Sequence, residues 1–133
     1  MNASTWKPAA AAALLALTAS VAQATTAAEL LAGYGRQSGQ APQAARGQQL
    51  FSQRHGGEWS CASCHGMPPS REGEHAATGR RIAPLAPAFN PRRFTDEAKV
   101  EKWFRRNCRD VLARECTSAE KADVLAWLMS VQP

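Results

Sequence analysis

Apolar side chains recur with the period of an α-helix in four segments of the chain, two of which lie in its first half. The first helix is predicted to begin at a capping box formed by Thr26 and Glu29, and Gly33 and Gly35 are expected to end it. The second is predicted from about residue 43 to residue 53. Their apolar faces comprise Ala27, Leu30, Leu31 and Tyr34 in the first helix and Ala44, Gly47, Leu50 and Phe51 in the second.

Two further helical patterns lie towards the end of the chain. Thr95 is expected to be the N-cap of the third helix, and Glu101 and Arg105 are expected to pair on its exposed side. The fourth helix opens with a second capping box, formed by Thr117 and Glu120. The side chains predicted to be buried are Val100, Trp103 and Phe104 in the third helix and Val124, Leu125, Trp127, Leu128 and Val131 in the fourth.

About forty residues between the second and third helices show no helical period and predict no strand. They contain Pro68, Pro69, Pro84, Pro87 and Pro91. A structureless stretch of that length is unusual in a compact domain, and a chain of this size has only a modest core of its own. Both observations are explained if the loop wraps a large apolar group. The four helical patterns, with no convincing strand between them, predict an all-α protein.

The first two dozen residues have the pattern of a secretory signal peptide. Lys7 supplies the positive charge, residues 8–17 the apolar segment, and residues 22–24 a small-residue cleavage site. We expect residues 1–24 to be removed and residues 25–133 to form one domain, because the length and a charged fraction of 20% are ordinary for a single folded domain.

Export bears on the partners that this basic chain can have. The formal net charge is +5, but a protein delivered to the periplasm is an implausible partner for nucleic acid. The oxidising compartment permits disulfides. Since no apolar run reaches about 18 residues, we expect no membrane span in the mature chain.

Cys61, Cys64 and His65 form the sequence Cys-Ala-Ser-Cys-His, the attachment pattern of a c-type haem. Two thiols three residues apart add to the two vinyl groups of one haem, and the next residue becomes the proximal iron ligand. A redox dithiol would need a βαβ context that is absent here. A zinc-stabilised binding module would use both thiols together with Cys108 and Cys116. The single motif favours one covalent haem c.

With this motif the chain resembles the class I cytochromes c. Gly47 and Phe51 before the motif, and Trp127 in the last helix, match that family's crossing of N- and C-terminal helices. The resemblance implies a class I cytochrome c fold of about four helices around one haem. It also implies that Gly47 lets the Trp127 ring approach the backbone.

The distal iron ligand is where the chain departs from ordinary electron carriers, which use a methionine well after the motif. Met67 is too close to the proximal His65 to reach the other face of the haem, and Met129 is expected in the core. His55 and His75 remain as candidates, although both lie where a surface histidine is the simpler interpretation.

Cys108 and Cys116 restrict the end of the third helix. In an uninterrupted helix their Cα atoms would lie about 12 Å apart, whereas a disulfide requires about 4.4–6.8 Å. If they are bonded, the helix must end within residues 109–114. Export favours the bond, which would hold the neighbouring residue, Asn107, in place. The alternative is a plain structural disulfide with Asn107 as a helix C-cap.

The run that begins at Asn107 and Cys108 resembles the SHP group, high-spin, oxygen-binding monohaem cytochromes c related to cytochrome c''. The resemblance implies that Asn107 is the sixth ligand of the ferric haem and leaves on reduction, and that Cys108 pairs with Cys116. The residues that carry it are Thr78, Gly79, Arg80, Ala86, Pro87, Asn90, Pro91, Arg92, Arg93, Phe94, Asn107, Cys108, Val111, Arg114, Cys116, Thr117, Leu125, Ala126, Trp127 and Leu128.

The same resemblance implies a periplasmic protein that accepts electrons from a dihaem cytochrome c and binds oxygen or nitric oxide when reduced. A carboxamide oxygen is a hard, weak donor, adequate for ferric iron and poor for ferrous iron, which agrees with release of Asn107. An oxidase or reductase role is the remaining enzymatic option. The alternative is a six-coordinate electron carrier that uses His75. Candidate contacts of the haem propionates are Arg80, Arg81 and Arg93.

Overall fold

The computed structural model describes residues 24–133, so the predicted signal peptide lies outside the described residues except for Ala24. Within that range the chain forms five helices and one two-stranded antiparallel sheet, and the all-α prediction is confirmed. The helices are α1 (Ala27–Ser38), α2 (Ala44–Ser52), α3 (Cys61–His65), α4 (Glu97–Leu112) and α5 (Ser118–Ser130), and the strands are β1 (Gly73–Glu74) and β2 (Arg81–Ile82). None of the helices in residues 24–133 has the length and apolar character to cross a bilayer.

The core forms where α1 and α2 both pack against α5. A Cβ atom on Gly47 would overlap the backbone carbonyl of Asp123, so the two helices cross with their backbones in direct contact. The prediction that Gly47 makes room for the Trp127 ring is therefore wrong, because the backbone of α5 occupies that space. The buried side chains of the core are Leu30, Tyr34, Phe51, Phe94, Val100, Ala122, Val124, Leu125, Trp127 and Leu128.

Both predicted capping boxes are present, at the starts of α1 and α5. The predicted end of α1 is wrong, since the helix continues through Gly33 and Gly35 to Ser38 and ends at Gly39 with φ 66°. A glycine inside a helix costs only about 1 kcal/mol, and burial of Leu30 and Tyr34 against α5 offsets it.

Helix α4 begins one residue later than expected. Asp96 is its N-cap, because the carboxylate accepts a hydrogen bond from the backbone N–H of Lys99 at 3.0 Å, and Thr95 does not cap it. The expected Glu101–Arg105 pair is also absent. Arg105 lies 3.8 Å from Glu115 instead, and Glu101 turns inward.

The stretch predicted to lack regular structure contains α3 and the hairpin of β1 and β2. The hairpin pairs Gly73 with Ile82 and Glu74 with Arg81. It packs directly on α3, since a Cβ atom on Gly73 would overlap the carbonyl oxygen of Cys64. The prediction of no strand is wrong here because strands of two residues are too short to show a period of alternation.

Candidate functional site

The Cys-x-x-Cys-His motif forms the single helical turn α3. Ser60 is its N-cap and exchanges hydrogen bonds with Ser63, whose backbone N–H donates to Ser60 Oγ at 3.2 Å while Ser63 Oγ accepts from the Ser60 N–H at 2.9 Å. Residues three apart on a helix lie on the same side, so Cys61 and Cys64 face one group together. Both thiols are free of disulfides. The spacing of Ser60 and Ser63 is a capping signal that could have predicted this turn.

His65 is held at the end of this turn by the crossing of α2 and α5. The ring of Phe51 lies 6.1 Å from the His65 ring and 4.8 Å from the ring of Trp127. Burial, and secondarily the charge of Arg93, lowers the pKa of His65 to about 4. The imidazole is therefore neutral at physiological pH, which is the form that binds a metal.

These residues fit a covalent haem. Nδ1 of His65 is buried and has no hydrogen-bond partner within residues 24–133, so no side chain or carbonyl among them competes for that nitrogen. Burial also raises the pKa of the Cys61 thiol to about 11, so that it remains protonated. Two thiols on one side of α3, with a neutral imidazole next to them, form the donor set that a c-type haem requires.

Asn107 lies within α4, five residues before its last residue, so the alternative of a helix C-cap is wrong; the C-cap is Ala113. Val100 and Val111, seven residues before it and four after it, are buried, and helical spacing puts Asn107 on the same inner face. In the described chain the side-chain hydrogen bonds of α4 are made by Glu101 and Arg109. The carboxamide of Asn107 therefore has no competing partner among residues 24–133.

The disulfide between Cys108 and Cys116 is present, with Cα atoms 5.6 Å apart. It closes over the end of α4 at Leu112, within the range of residues 109–114 expected for a bonded pair. The residue after Asn107 is thus covalently tied to the connection between α4 and α5. Since this pair is oxidised, and no cluster of three or more His, Cys, Asp or Glu side chains suited to a metal ion occurs in residues 24–133, the zinc alternative is wrong.

The other candidate distal ligands are Met67, Met129, His55 and His75, and each is either exposed, in contact with nearby residues of the chain or packed on the core. Met67 is 45% exposed beside the motif, and Met129 packs against the core. His55 is exposed, and its Nε2 lies 2.8 Å from the carbonyl oxygen of Leu50. His75 contacts Thr78 Oγ1 at 3.0 Å through Nδ1, in the turn of the hairpin.

The three candidate arginines differ in their surroundings. Arg93 is half-buried, donates to the carbonyls of Pro84 at 2.9 Å and Ala83 at 2.6 Å, and is close enough to His65 to lower its pKa. Arg81 is exposed and pairs with Glu72 across the base of the hairpin, and Arg80 is also exposed. Of the three, Arg93 is the one whose charge acts on His65.

Trp103 was expected to be buried but is 43% exposed. It lies four residues before Asn107, on the adjoining part of the same helix face. The guanidinium of Arg106 lies 5.7 Å from the centre of its ring. The helical period identifies the side of the helix on which a residue lies. Whether that side is exposed depends on the element that packs against it, and the period carries no information about that element.

Comparison with known proteins places this arrangement in context. Residues 37–128 match the family described as a domain of unknown function, DUF1924. The chain is 51% identical over 108 residues to the cytochrome c-type protein SHP of Cereibacter sphaeroides, which corresponds to 78% of this chain and 83% of that protein.

Two solved structures share the fold. The structure of oxidized SHP, described as an oxygen-binding cytochrome c, is 47% identical, with a TM-score of 0.76 over 81% of this chain and 99% of that chain. The solution structure of Methylophilus methylotrophus cytochrome c'', whose description concerns haem-ligand detachment, is 34% identical, with a TM-score of 0.70 over 80% of this chain and 94% of that chain.

Proposed function

This chain belongs to the family of SHP and cytochrome c'', and we propose that it binds a diatomic gas, oxygen or nitric oxide, when its haem is reduced. It is a c-type cytochrome with one covalent haem. The haem supplies reversible one-electron transfer and, in its ferrous form, affinity for diatomic ligands. Everything else in the proposal concerns how the side chains of this protein control access to that group.

On the proximal side, Cys61 and Cys64 would hold the haem and His65 would ligate its iron. The hairpin and Phe51 fix α3 from two directions, since Gly73 packs on the Cys64 carbonyl and the Phe51 ring packs against the imidazole. A neutral imidazole in a rigid setting would stay in place as a ligand in both oxidation states of the haem. The proximal half of the site is therefore rigid.

On the distal side, Asn107 acts as the ligand that leaves. Its carboxamide is on the inner face of α4 and has no hydrogen-bond partner to give up among the described residues. Its oxygen is a weak, neutral donor, which ferric iron retains and ferrous iron does not. With the haem in place, the Asn107 carboxamide would be retained in the ferric form and would be released, with its lone pair, on one-electron reduction by a redox partner, which would leave room for a gas.

The setting proposed for this activity is the periplasm, after removal of residues 1–24, with a dihaem cytochrome c as electron donor. Arg93 is the best candidate for a haem propionate, because it is half-buried and donates only to carbonyls, Pro84 and Ala83. A carboxylate of the haem would compensate its charge. Arg80 and Arg81 are exposed and suit a partner's acidic surface instead.

Replacement of Asn107 tests the proposal. Asn107→Val keeps similar bulk and removes the donor oxygen, so the ferric haem should lose its sixth protein ligand. Stopped-flow binding of imidazole to the ferric protein should accelerate by at least about tenfold, since about 1.4 kcal/mol of barrier corresponds to that factor. Carbon monoxide binding to the reduced protein should change little, because Asn107 has already left.

His75→Ala is the matched control, since it removes the histidine on which the six-coordinate alternative depends. It should leave the ferric absorption spectrum and the imidazole rate unchanged. The proposal is wrong if Asn107→Val changes neither the ferric absorption spectrum nor the imidazole rate. A change in both with His75→Ala would support the plain electron carrier.

A further inference from the structure

Helix α4, which carries Asn107, is joined to the helices beneath it through one carboxylate. Glu101 Oε1 accepts a hydrogen bond from the hydroxyl of Tyr34 on α1 at 2.6 Å. Its Oε2 accepts one from Lys121 Nζ on α5 at 2.7 Å. In residues 24–133, no other side-chain hydrogen bond or ion pair links α4 to the residues of α1 or α5.

Aromatic rings surround this carboxylate and its partners. The Phe104 ring meets the Tyr34 ring edge-on, with centres 6.0 Å apart. Lys121 Nζ lies 5.4 Å from the centre of the Tyr34 ring and 5.9 Å from that of Phe104. The Lys121 side chain is only 16% exposed. Partial burial strengthens the attraction between the ammonium and Glu101, because solvent screens it less.

The protonation states are those that the contacts require. Burial and then Glu101 raise the pKa of Tyr34, so its hydroxyl remains a donor. Burial tends to raise the pKa of Glu101, but hydrogen bonds from Lys121 and Tyr34 outweigh it and hold that pKa below its ordinary value. Tyr34, Glu101 and Lys121 therefore form a neutral donor, an anion and a cation in one network, here called the Glu101 anchor.

The other end of α4 is held in a different way. Arg109 donates to Glu115 at 2.6 Å, Arg105 lies 3.8 Å from the same carboxylate, and Cys108 is bonded to Cys116. All of these partners belong to the connection that follows the helix. They fix how α4 ends, and they leave its attachment to α1 and α5 to the Glu101 anchor and to apolar contacts.

We infer that Glu101 is a positioning residue for Asn107, acting by holding α4 at a fixed distance from α1 and α5. The inference rests on the proposed function of Asn107. Six residues separate the two, about 9 Å along the helix, and a helix transmits a displacement over that length as a rigid body. A weak ligand such as a carboxamide oxygen is retained only if its helix keeps it in reach. Weakening the anchor therefore makes Asn107 easier to displace.

The test is imidazole binding to the ferric holoprotein. Glu101→Gln keeps the shape and removes the charge, and it should accelerate binding by roughly three- to tenfold, which corresponds to about 0.7–1.4 kcal/mol, the net contribution of one hydrogen bond. Tyr34→Phe keeps the ring packing and removes one donor, so a smaller acceleration in the same direction is expected. Tyr34→Phe also preserves the test if Glu101→Gln fails to fold.

Asp123→Asn is the matched control. Asp123 is another interhelical carboxylate, with a side chain 7% exposed, but among the described residues its hydrogen bonds and ion pair are made with Gln43 and Arg46, and none is made with α4. It should lower the melting temperature and leave the imidazole rate within about twofold of the wild type. If Asp123→Asn accelerates binding as much as Glu101→Gln does, the effect is one of general stability and the inference is wrong.

The double variant Glu101→Gln/Asn107→Val separates this inference from the proposed function. If Glu101 acts through Asn107, the double variant should bind imidazole as fast as Asn107→Val alone, with no added effect. The inference fails if the two effects multiply, or if Glu101→Gln leaves the rate unchanged while Asn107→Val accelerates it. If Asn107→Val itself has no effect, the proposed function fails.

Discussion

The two sides of the haem site are built by different means. On the proximal side, backbones are in direct contact: α2 crosses α5 at Gly47, and the hairpin rests on α3 at Gly73. On the side proposed to be distal, α4 is joined to α1 and α5 through the side chain of Glu101 and apolar contacts, and near its end the disulfide and Glu115 tie it to the connection that follows.

Backbone contact and side-chain contact differ in what they permit. Two backbones in direct contact can pack in only one arrangement, because a change of side-chain rotamer cannot make room between them. A helix attached through long side chains can shift, since Glu and Lys side chains adjust at small cost. The ligand proposed to remain, His65, is thus placed on the first kind of support, and the one proposed to leave, Asn107, on the second.

The largest expected effect is on the proximal side. Gly73→Ala would place a methyl group on the carbonyl of Cys64, and Gly47→Ala would place one on the carbonyl of Asp123. Since a backbone segment must shift to make room, each change should reduce the free energy of unfolding by about 3 kcal/mol. Chemical denaturation followed by circular dichroism measures this loss.

Gly33→Ala is the control for both, because the nearest atom to its new methyl group is Arg36 Nη2 at 4.0 Å. In the middle of α1 it should raise stability by up to about 1 kcal/mol. Equal losses at all three glycines would mean that close backbone contact is not what stabilises the proximal side.

A smaller effect is expected from the distal clamp. Replacing Cys108 and Cys116 together by serine should lower the free energy of unfolding by about 2–3 kcal/mol, the amount expected for a short loop closed by a disulfide. The wild-type holoprotein should show no reactive thiol when denatured without reductant. Two thiols in that titration would contradict the pairing.

The smallest effect concerns the pair that follows the clamp. Arg114 donates to both oxygens of Glu120, and this contact, with smaller contributions from hydrogen bonds of Thr117, lowers the pKa of Glu120 from its ordinary value of 4.5 to about 2. The folded protein therefore holds the anion more strongly, so the pair contributes to stability above about pH 4.5 and loses that contribution as the pH falls towards 2.

Because solvent screens this pair, Glu120→Gln should cost at most about 1 kcal/mol at pH 7. The difference from the wild type, measured by urea unfolding, should shrink as the pH is lowered below about 4.5. A difference that grows in acid would show that the carboxylate is not the stabilising species.

Local signals explain how much of the fold the sequence could predict. The capping boxes at Thr26 and Thr117 are contained within four residues, and both were predicted correctly. The end of α1 was not, because burial against α5 decides it and Gly33 and Gly35 carry no information about α5. The hairpin was missed because it is specified by its fit to α3, not by a pattern of its own.

In the candidate site, too, the features set by neighbouring residues could be predicted and those set by distant residues could not. The motif of Cys61, Cys64 and His65 could be recognised from spacing alone, since its chemistry requires neighbouring residues. The partners of Glu101 could not, because Tyr34 is 67 positions away and Lys121 is 20. Helical spacing instead favoured Arg105, four residues on, and only the packing of three helices turns the carboxylate inward.

The crossing of α2 and α5 also has a consequence for the order of folding. The side chain of Gln43, the N-cap of α2, makes no capping hydrogen bond; its backbone N–H donates to Asp123, 80 residues later, at 2.6 Å. Nine residues are too few for a helix to persist alone. Helix α2 is therefore expected to become stable only once α5 packs on it, and until then the thiols of Cys61 and Cys64 lie on an unfolded, accessible chain.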